Sequence, residues 1–500
     1  MPICEECGER VRMEGPQTVE ELEAEMAHVD ALLQRLATHR SGLRRRINSL
    51  APISRLPPEV LIEILRFSCS LGSSTTPLFL GSICTAWRNF VWTTPTLWAR
   101  ITLQIGRTTR GPRLQAKLPL LPQWLHRAGD LPLHIALFTT EEDDSTFSSL
   151  RSVMEILVER SEYWGSIECL LPPQCQDLLL GHRFPLLERA VFRPPIGSIS
   201  TFSQPPDVFG GDNTPSLCDV DLSGYDFSSM VLPWDQLKRF KTQLLTVTEC
   251  WELLKRCPQL ERCELDHVYC TDNHIHDASS RAQMEKEKFV HQSLEVLNIA
   301  FIKGAAITLL DAVSLPSLKE LGLHYAGVET VSLLPVVSLV SRSSPTCALR
   351  KLAITRSVFG EDDLIRCLTA LPGLEELDLR MRQAVPTGPF TTIAQAARQS
   401  MTEGFVDLLM LTLDDPPFDQ DSVLLPNLKR IHFTGALFCP VSLVLEMLAW
   451  RFARRVGDGT GVATLEEATF VLTSGSWCKP LVADIQTMQE LREEGLRIQF

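Results

Sequence analysis

Positive charge is in short supply. Lys and Arg number 48 against 61 Asp and Glu, a net charge of −13 across 500 residues. A chain this acidic carries no evident footprint for nucleic acid or for an anionic membrane surface. Long apolar runs are missing too. The best candidate, residues 331–340, is short and holds Pro335, so no bilayer-spanning helix is expected. The opening residues, MPICEECGERVRME, are acidic and lack an apolar core, which predicts that they are not a secretion signal. No nucleophile elbow, phosphate loop or HExxH helix occurs, so the chain is expected to catalyse nothing itself. The acidic run Glu141-Glu142-Asp143-Asp144 reads as a solvated loop rather than a catalytic pair.

Metal-ligand spacing is equally sparse. Cys4 and Cys7 have the spacing of half a tetrahedral zinc site, but no second pair lies within reach. Cys263, His267, Cys270, His274 and His276 form the densest cluster, yet they match no common zinc module. No metal and no cofactor are therefore expected, and a zinc protein is the least favoured alternative. The fifteen cysteines are scattered through apolar patterns. An odd count without a secretion signal favours reduced thiols in the cytoplasm or nucleus. Cys84, Cys169, Cys263, Cys367 and Cys439 are expected to pack as small hydrophobes.

What is present is the composition of a globular protein, 44% hydrophobic and 22% charged. Its length exceeds what one compact core usually holds. After a tail (1–16), residues 17–50 carry apolar side chains at alternating steps of three and four: Val19, Leu22, Met26, Val29, Leu33, Leu36, Leu43, Ile47 and Leu50, with Arg40 in the same seam. Thr18 and Glu21 have the spacing of a capping box. Charge runs from acidic early to basic late, which suits the helix dipole. Two readings stand: a coiled coil joining two copies through residues 18–50, or one helix lying alone or against its own chain.

Residues 51–100 follow. Val60, Leu61, Ile64, Leu65 and Phe67 fall on one helical face behind Pro57 and Pro58. Thr76-Pro77 opens a second helix carrying Leu80, Ile83, Cys84, Trp87 and Val91. Two short helices cannot cover this much apolar surface between themselves, so part of it must meet the rest of the chain or a partner. The pattern Leu56-Pro57-x-Glu59-Val60-Leu61-x-x-Ile64, then Leu80-x-x-Ile83-Cys84-x-x-Trp87-Arg88, then Leu97-Trp98, resembles an F-box. The break at 68–76 lacks the acidic residue often found there. The resemblance implies a helical cluster that docks on the Skp adaptor and, through it, on a cullin ubiquitin ligase. By motif position Leu56, Pro57, Glu59, Leu61, Ile64, Ile83, Trp87 and Trp98 are the docking residues it implies.

Beyond lies a repeated frame of apolar, two residues, apolar, one residue, apolar. Clear copies begin at Leu217, Leu260, Leu294, Leu318, Leu349, Leu374, Leu408, Leu428 and Leu465, and weaker ones at Trp98, Trp164, Leu187 and Leu237; residues 130–135 keep the end of the frame. The period-two tail of each frame predicts a short strand with apolar residues pointing inward. Helical stretches such as 362–371 and 442–452 separate the frames, several of them closed by Leu-Pro or Cys-Pro. The pattern resembles degenerate leucine-rich repeats, and the whole combination is similar to large fungal F-box families. The expected fold is α/β: an N-terminal helix, a small helical F-box (51–100), a connecting repeat-like region (101–165), then an irregular parallel-stranded solenoid (166–500) closed by a helix and strand. Polar insertions are expected at 194–215 and 272–288. The strand face should project Asp221, Lys241, Glu264, Asp266, His324, Lys351, Asp378, Arg380 and His432 toward a target protein. The function implied is a substrate receptor of an SCF-type ligase, with a non-catalytic scaffold whose box no longer binds as the alternative.

Overall fold

The computed structural model describes residues 18–69, 76–106, 112–195, 207–270, 288–302, 305–325, 331–343, 347–357, 359–381, 401–410, 423–453, 462–472 and 480–500. Cys4, Cys7, His274, His276, half of the insertion expected at 194–215 and nearly all of that at 272–288 lie outside these residues. Two compact units result: Met1–Thr102 with Pro119–Leu133, and Leu103–Leu118 with His134–Phe500.

The first unit opens with a helix, Val19–Leu50, started by the Thr18/Glu21 capping box. Its helical cluster begins with Pro58–Ser68, for which Pro57 is the N-cap and Pro58 occupies the first helical position. The predicted second helix is in fact two, Pro77–Ile83 and Thr85–Trp92. Cys84 between them is extended, and its half-buried Sγ caps the latter by accepting from the Trp87 amide at 3.4 Å. Cys84 is thus a cap and not the packed hydrophobe expected. The break lets the second of these helices fold back on the first: a Cβ at Gly81 would meet the Trp92 ring at 2.1 Å, and Arg88 donates to the Gly81 carbonyl.

The second unit rests on a fourteen-stranded sheet whose strands follow in chain order from Arg100–Ile105 to Arg497–Gln499. Each neighbouring pair from Trp164–Leu170 onward is parallel. The frames explain the register. Cys263, Leu297, Leu321, Leu352, Leu377, Ile431 and Ala468 stand opposite one another in successive strands and are all buried. The next inward position repeats this from Leu265 to Phe470. Each such side chain contributes about 1.5–3 kcal/mol relative to exposure, and a one-residue slip would turn the whole set outward. Parallel neighbours need a crossover, and the helices Val247–Arg256, Leu334–Ser343, Glu361–Thr369 and Val441–Phe452 supply several. Helix Val482–Glu493, Gly495 at φ +112 and strand Arg497–Gln499 close the stack.

The strand tail of the frame copy at Leu408, residues 411–413, lies outside the described residues. Leu408 itself ends the helix Glu403–Leu408, and strand Glu376–Met381 pairs directly with Arg430–Gly435. Thr402 caps that helix by accepting from the Phe405 amide, and the carbonyls that follow it are claimed by a side chain. Arg451, fully buried on helix Val441–Phe452, donates to the carbonyls of Leu409 (2.7 Å), Leu424 (2.6 Å) and Leu425 (3.0 Å). Its burial, with no counter-charge paired to it among the described residues, pulls the guanidinium down to about 10.

The acidic run at 141–144 is also more structured than expected. Asp143 caps helix Asp144–Val158 by accepting from the Thr146 amide at 2.8 Å. No helix among the described residues is long and apolar enough to cross a membrane.

Candidate functional site

Two surfaces, one in each unit, carry the chemistry. In the first unit the helix Pro58–Ser68 divides its apolar residues. Leu65 is buried and Leu61 half-buried, while Val60, Ile64 and Phe67 point to solvent, Phe67 81% exposed. These three sit at i, i+4 and i+7, one outward stripe. Leu56 and Pro57 are exposed at its entrance, and Glu59 is exposed in the first turn, where its charge suits the dipole. Helix Pro77–Ile83 buries Pro77, Leu80 and Gly81 and exposes Leu78, Phe79 and Ile83. Scattered surface leucines need no explanation, but two short helices, consecutive among the described elements of the chain, that each present an apolar stripe outward do.

Trp87 is half-buried, and Trp98 is not on the surface at all. At 1% exposure it meets the rings of Trp92 and Trp124 edge-on at 5.3 and 5.0 Å, and its Nε1 donates to the Val91 carbonyl. Arg127 sits over both Trp92 and Trp98. Motif position placed Trp98 at the docking surface; it holds the cluster together instead. Phe67 and Phe79 are the exposed aromatics that motif position passed over, although the same helical spacing could have found them.

In the second unit the outward residues of the strands are mostly paired with each other. At one outward position Glu320, Lys351, Glu376, Arg430, Glu467 and Arg497 follow across the sheet with alternating sign. Arg430 bonds Glu376 at 2.9 Å, and Arg497 lies 3.3 Å from Glu467. Burial opposes charge on Glu376, but hydrogen bonds from Lys351 and Arg430 outweigh it and hold the carboxyl below its usual value. Asp378 and Arg380 form a bidentate pair at 2.9 and 3.0 Å, and His432 shares a hydrogen bond with Thr434. Lys351, Asp378, Arg380 and His432 therefore belong to a ladder that satisfies its own charges.

The remaining predicted residues gather at two hollows. The first, about 490 Å³, is lined among others by Glu142, Glu168, Arg193, Asp221, Lys241 and Asp266, four carboxylates against two cations. Lys241 also pairs with Glu264 at 3.4 Å. Asp221 is buried rather than projecting; it accepts from the Ser223 amide and hydroxyl and lies 3.5 Å from Arg193. The second hollow, about 450 Å³, shares Asp266 and adds His267, Asn298, His324, Thr355 and Arg356. His324 shares a 2.7 Å hydrogen bond with Thr355. Its burial, then Arg356, lowers its pKa below the ordinary imidazole value, with Asp266 opposing.

His267 and Arg356 reach this hollow through irregular backbone. Both have positive φ, 59° and 55°, and both sit where the strand register shifts. Such bulges re-aim a side chain at the end of a strand. No sequence signal marks them, because neither is glycine. Thiol chemistry is not on offer nearby: burial pushes Cys175 up to about 11 and Cys257 and Cys367 up to about 12, with Cys169, Cys250 and Cys263 raised as well. Among the described residues no group of three or more metal-type ligands is placed to hold an ion.

No family model matches the chain. A protein of Arabidopsis thaliana named for an F-box and leucine-rich repeats is 26% identical over 208 residues. That stretch covers 39% of this chain and 36% of the plant protein, so the chain spans about a third of the relative it matches. With its apolar helical stripes and parallel repeat-like sheet, the chain is distantly similar to an F-box/leucine-rich-repeat protein.

Proposed function

We propose that this chain is a substrate receptor of an SCF-type ubiquitin ligase. The outward stripes of Pro58–Ser68 and Pro77–Ile83 dock the Skp adaptor and through it a cullin, and the strand face of an irregular leucine-rich-repeat solenoid holds a target protein. The observation that carries this reading is the pair of short helices whose motif residues Leu56, Pro57, Ile64 and Ile83 are exposed, with Val60, Phe67 and Phe79 beside them. Apolar residues that the fold does not bury fit a partner's groove. On the target side, the excess of carboxylates in the first hollow suits a basic segment. The name of the plant relative supports a non-enzymatic role.

The test is affinity for the Skp adaptor measured with the full chain. Replacing Val60 and Ile64 together by aspartate should leave the circular dichroism spectrum unchanged, because both side chains are exposed. At about 2 kcal/mol for each anchor lost, binding should weaken by roughly a thousandfold. Equal affinity for variant and wild type would refute docking through this stripe. A wild-type chain that fails to bind would favour a scaffold whose box has lost its adaptor.

A further inference from the structure

Among the described residues, nothing covers helix Val19–Leu50 except the turn that follows it, whose Ser54 hydroxyl donates to the Asn48 carbonyl: every residue of the helix except Gly42 is exposed, and none is buried. At 1.5 Å per residue it extends about 48 Å. A helix carrying a seam of exposed Leu, Val, Met and Ile, broken at Arg40, lacks the packing that normally stabilises helices in water. We propose that this helix pairs with the same helix of a second copy, in antiparallel orientation.

Charge decides both the occupant and the direction. With Val19 at position a of a heptad, the seam takes a and d, and residues 23, 30, 37 and 44 fall at e while 25, 32, 39 and 46 fall at g. The seam is symmetric about its middle. An antiparallel copy sets Val19 against Leu50, Met26 against Leu43 and Leu33 against Leu36, so every apolar layer finds an apolar partner apart from Val29 with Arg40. In that register the flanking e–e and g–g contacts bring Glu23 to the second copy's Arg44, and Glu25 to its Arg46. Each occurs twice by symmetry. Arg40 lies level with the second copy's Val29, next to Asp30, whose carboxylate is within reach of a long guanidinium side chain.

The parallel alternative fails on the same residues. It stacks Arg40 on Arg40 in one core layer and sets Glu25 beside Asp30 of the other copy, two like-charge contacts with none of opposite sign to offset them. The helix is thus complementary to its own reverse. This pairing is independent of adaptor docking, since the seam shares no residue with the stripes of the helical cluster.

Sedimentation equilibrium of the full chain tests it. The expected result is a reversible dimer of twice the 56.0 kDa chain mass, with a dissociation constant below about 10 μM. Replacing Glu23 and Glu25 by arginine should weaken the dimer at least about tenfold, because four attractive contacts become repulsive. Adding Arg44→Glu and Arg46→Glu to the same chain should restore it to within about threefold. All four side chains are exposed, so the fold is not at risk. A monomer at high concentration overturns the pairing. A dimer that Glu23→Arg with Glu25→Arg strengthens overturns the antiparallel direction, since those changes relieve the parallel Glu25–Asp30 repulsion.

Discussion

Arg451→Met is expected to destabilise the segment around helix Val441–Phe452 by about 2–5 kcal/mol. The magnitude follows from two opposing terms. Three hydrogen bonds to a charged donor contribute about 1.5–3 kcal/mol each. Against them stands the desolvation of the guanidinium. Burial pulls its pKa down to about 10, a penalty of about 3 kcal/mol. Methionine removes that penalty and fills similar space, but it leaves the carbonyls of Leu409 and Leu424 buried and unbonded, and Leu425 with the Leu428 amide alone. Lysine should do little better, because a single ammonium cannot span three carbonyls in the plane of a fork. Leu425 adds to the effect: it is held at φ +57, a conformation a non-glycine residue keeps only when its surroundings enforce it. Amide hydrogen exchange across Val441–Phe452 reads the change directly, as a loss of protection of about thirtyfold or more. Unchanged protection would mean that the carbonyls of Leu409 and Leu424 find other donors.

The second large effect is expected at Trp98. Trp98→Ala should cost the helical cluster about 3–5 kcal/mol. It removes the ring shared by Trp92 and Trp124, a surface beneath Arg127 and the donor to the Val91 carbonyl. A small unit has little stability to lose, so adaptor binding should disappear with the fold. The contrast with Val60→Asp and Ile64→Asp separates the two roles. Those variants should lose binding while keeping the near-ultraviolet dichroism of the tryptophan cluster, whereas Trp98→Ala should lose both. A well-folded Trp98→Ala chain that fails only to bind would return Trp98 to the docking surface.

Trp98 also shows where sequence reasoning reaches its limit. A spacing motif reports that a residue is needed, not whether it faces inward or outward, and Leu61, Trp87 and Trp98 fall on the inward side of that division. The division of the second helix at Cys84 was hidden for a related reason: it answers to the close approach of Gly81 and Trp92, a tertiary contact that periodicity cannot register. The repeat frames were more legible. Eight of the nine clear copies supply a strand to the sheet, since a period-two apolar tail has one way to bury itself. The strand tail of the copy at Leu408 falls outside the described residues. On the strand face the charges are visible in the sequence, while their pairing shows only when the frames are aligned. Aligning the frames would have set Lys351, Glu376 and Arg430 side by side, and so marked them as each other's partners. The bulges at His267 and Arg356 had no such trace.

The most direct measurement of the central claim is a hydrogen-exchange footprint of the full chain with and without the Skp adaptor. The account predicts slowed exchange within Pro58–Ser68 and Pro77–Ile83, with the strands from Arg239–Gln243 to Arg430–Gly435 unchanged. Protection confined to the strand face, with the two short helices exchanging as before, would contradict it.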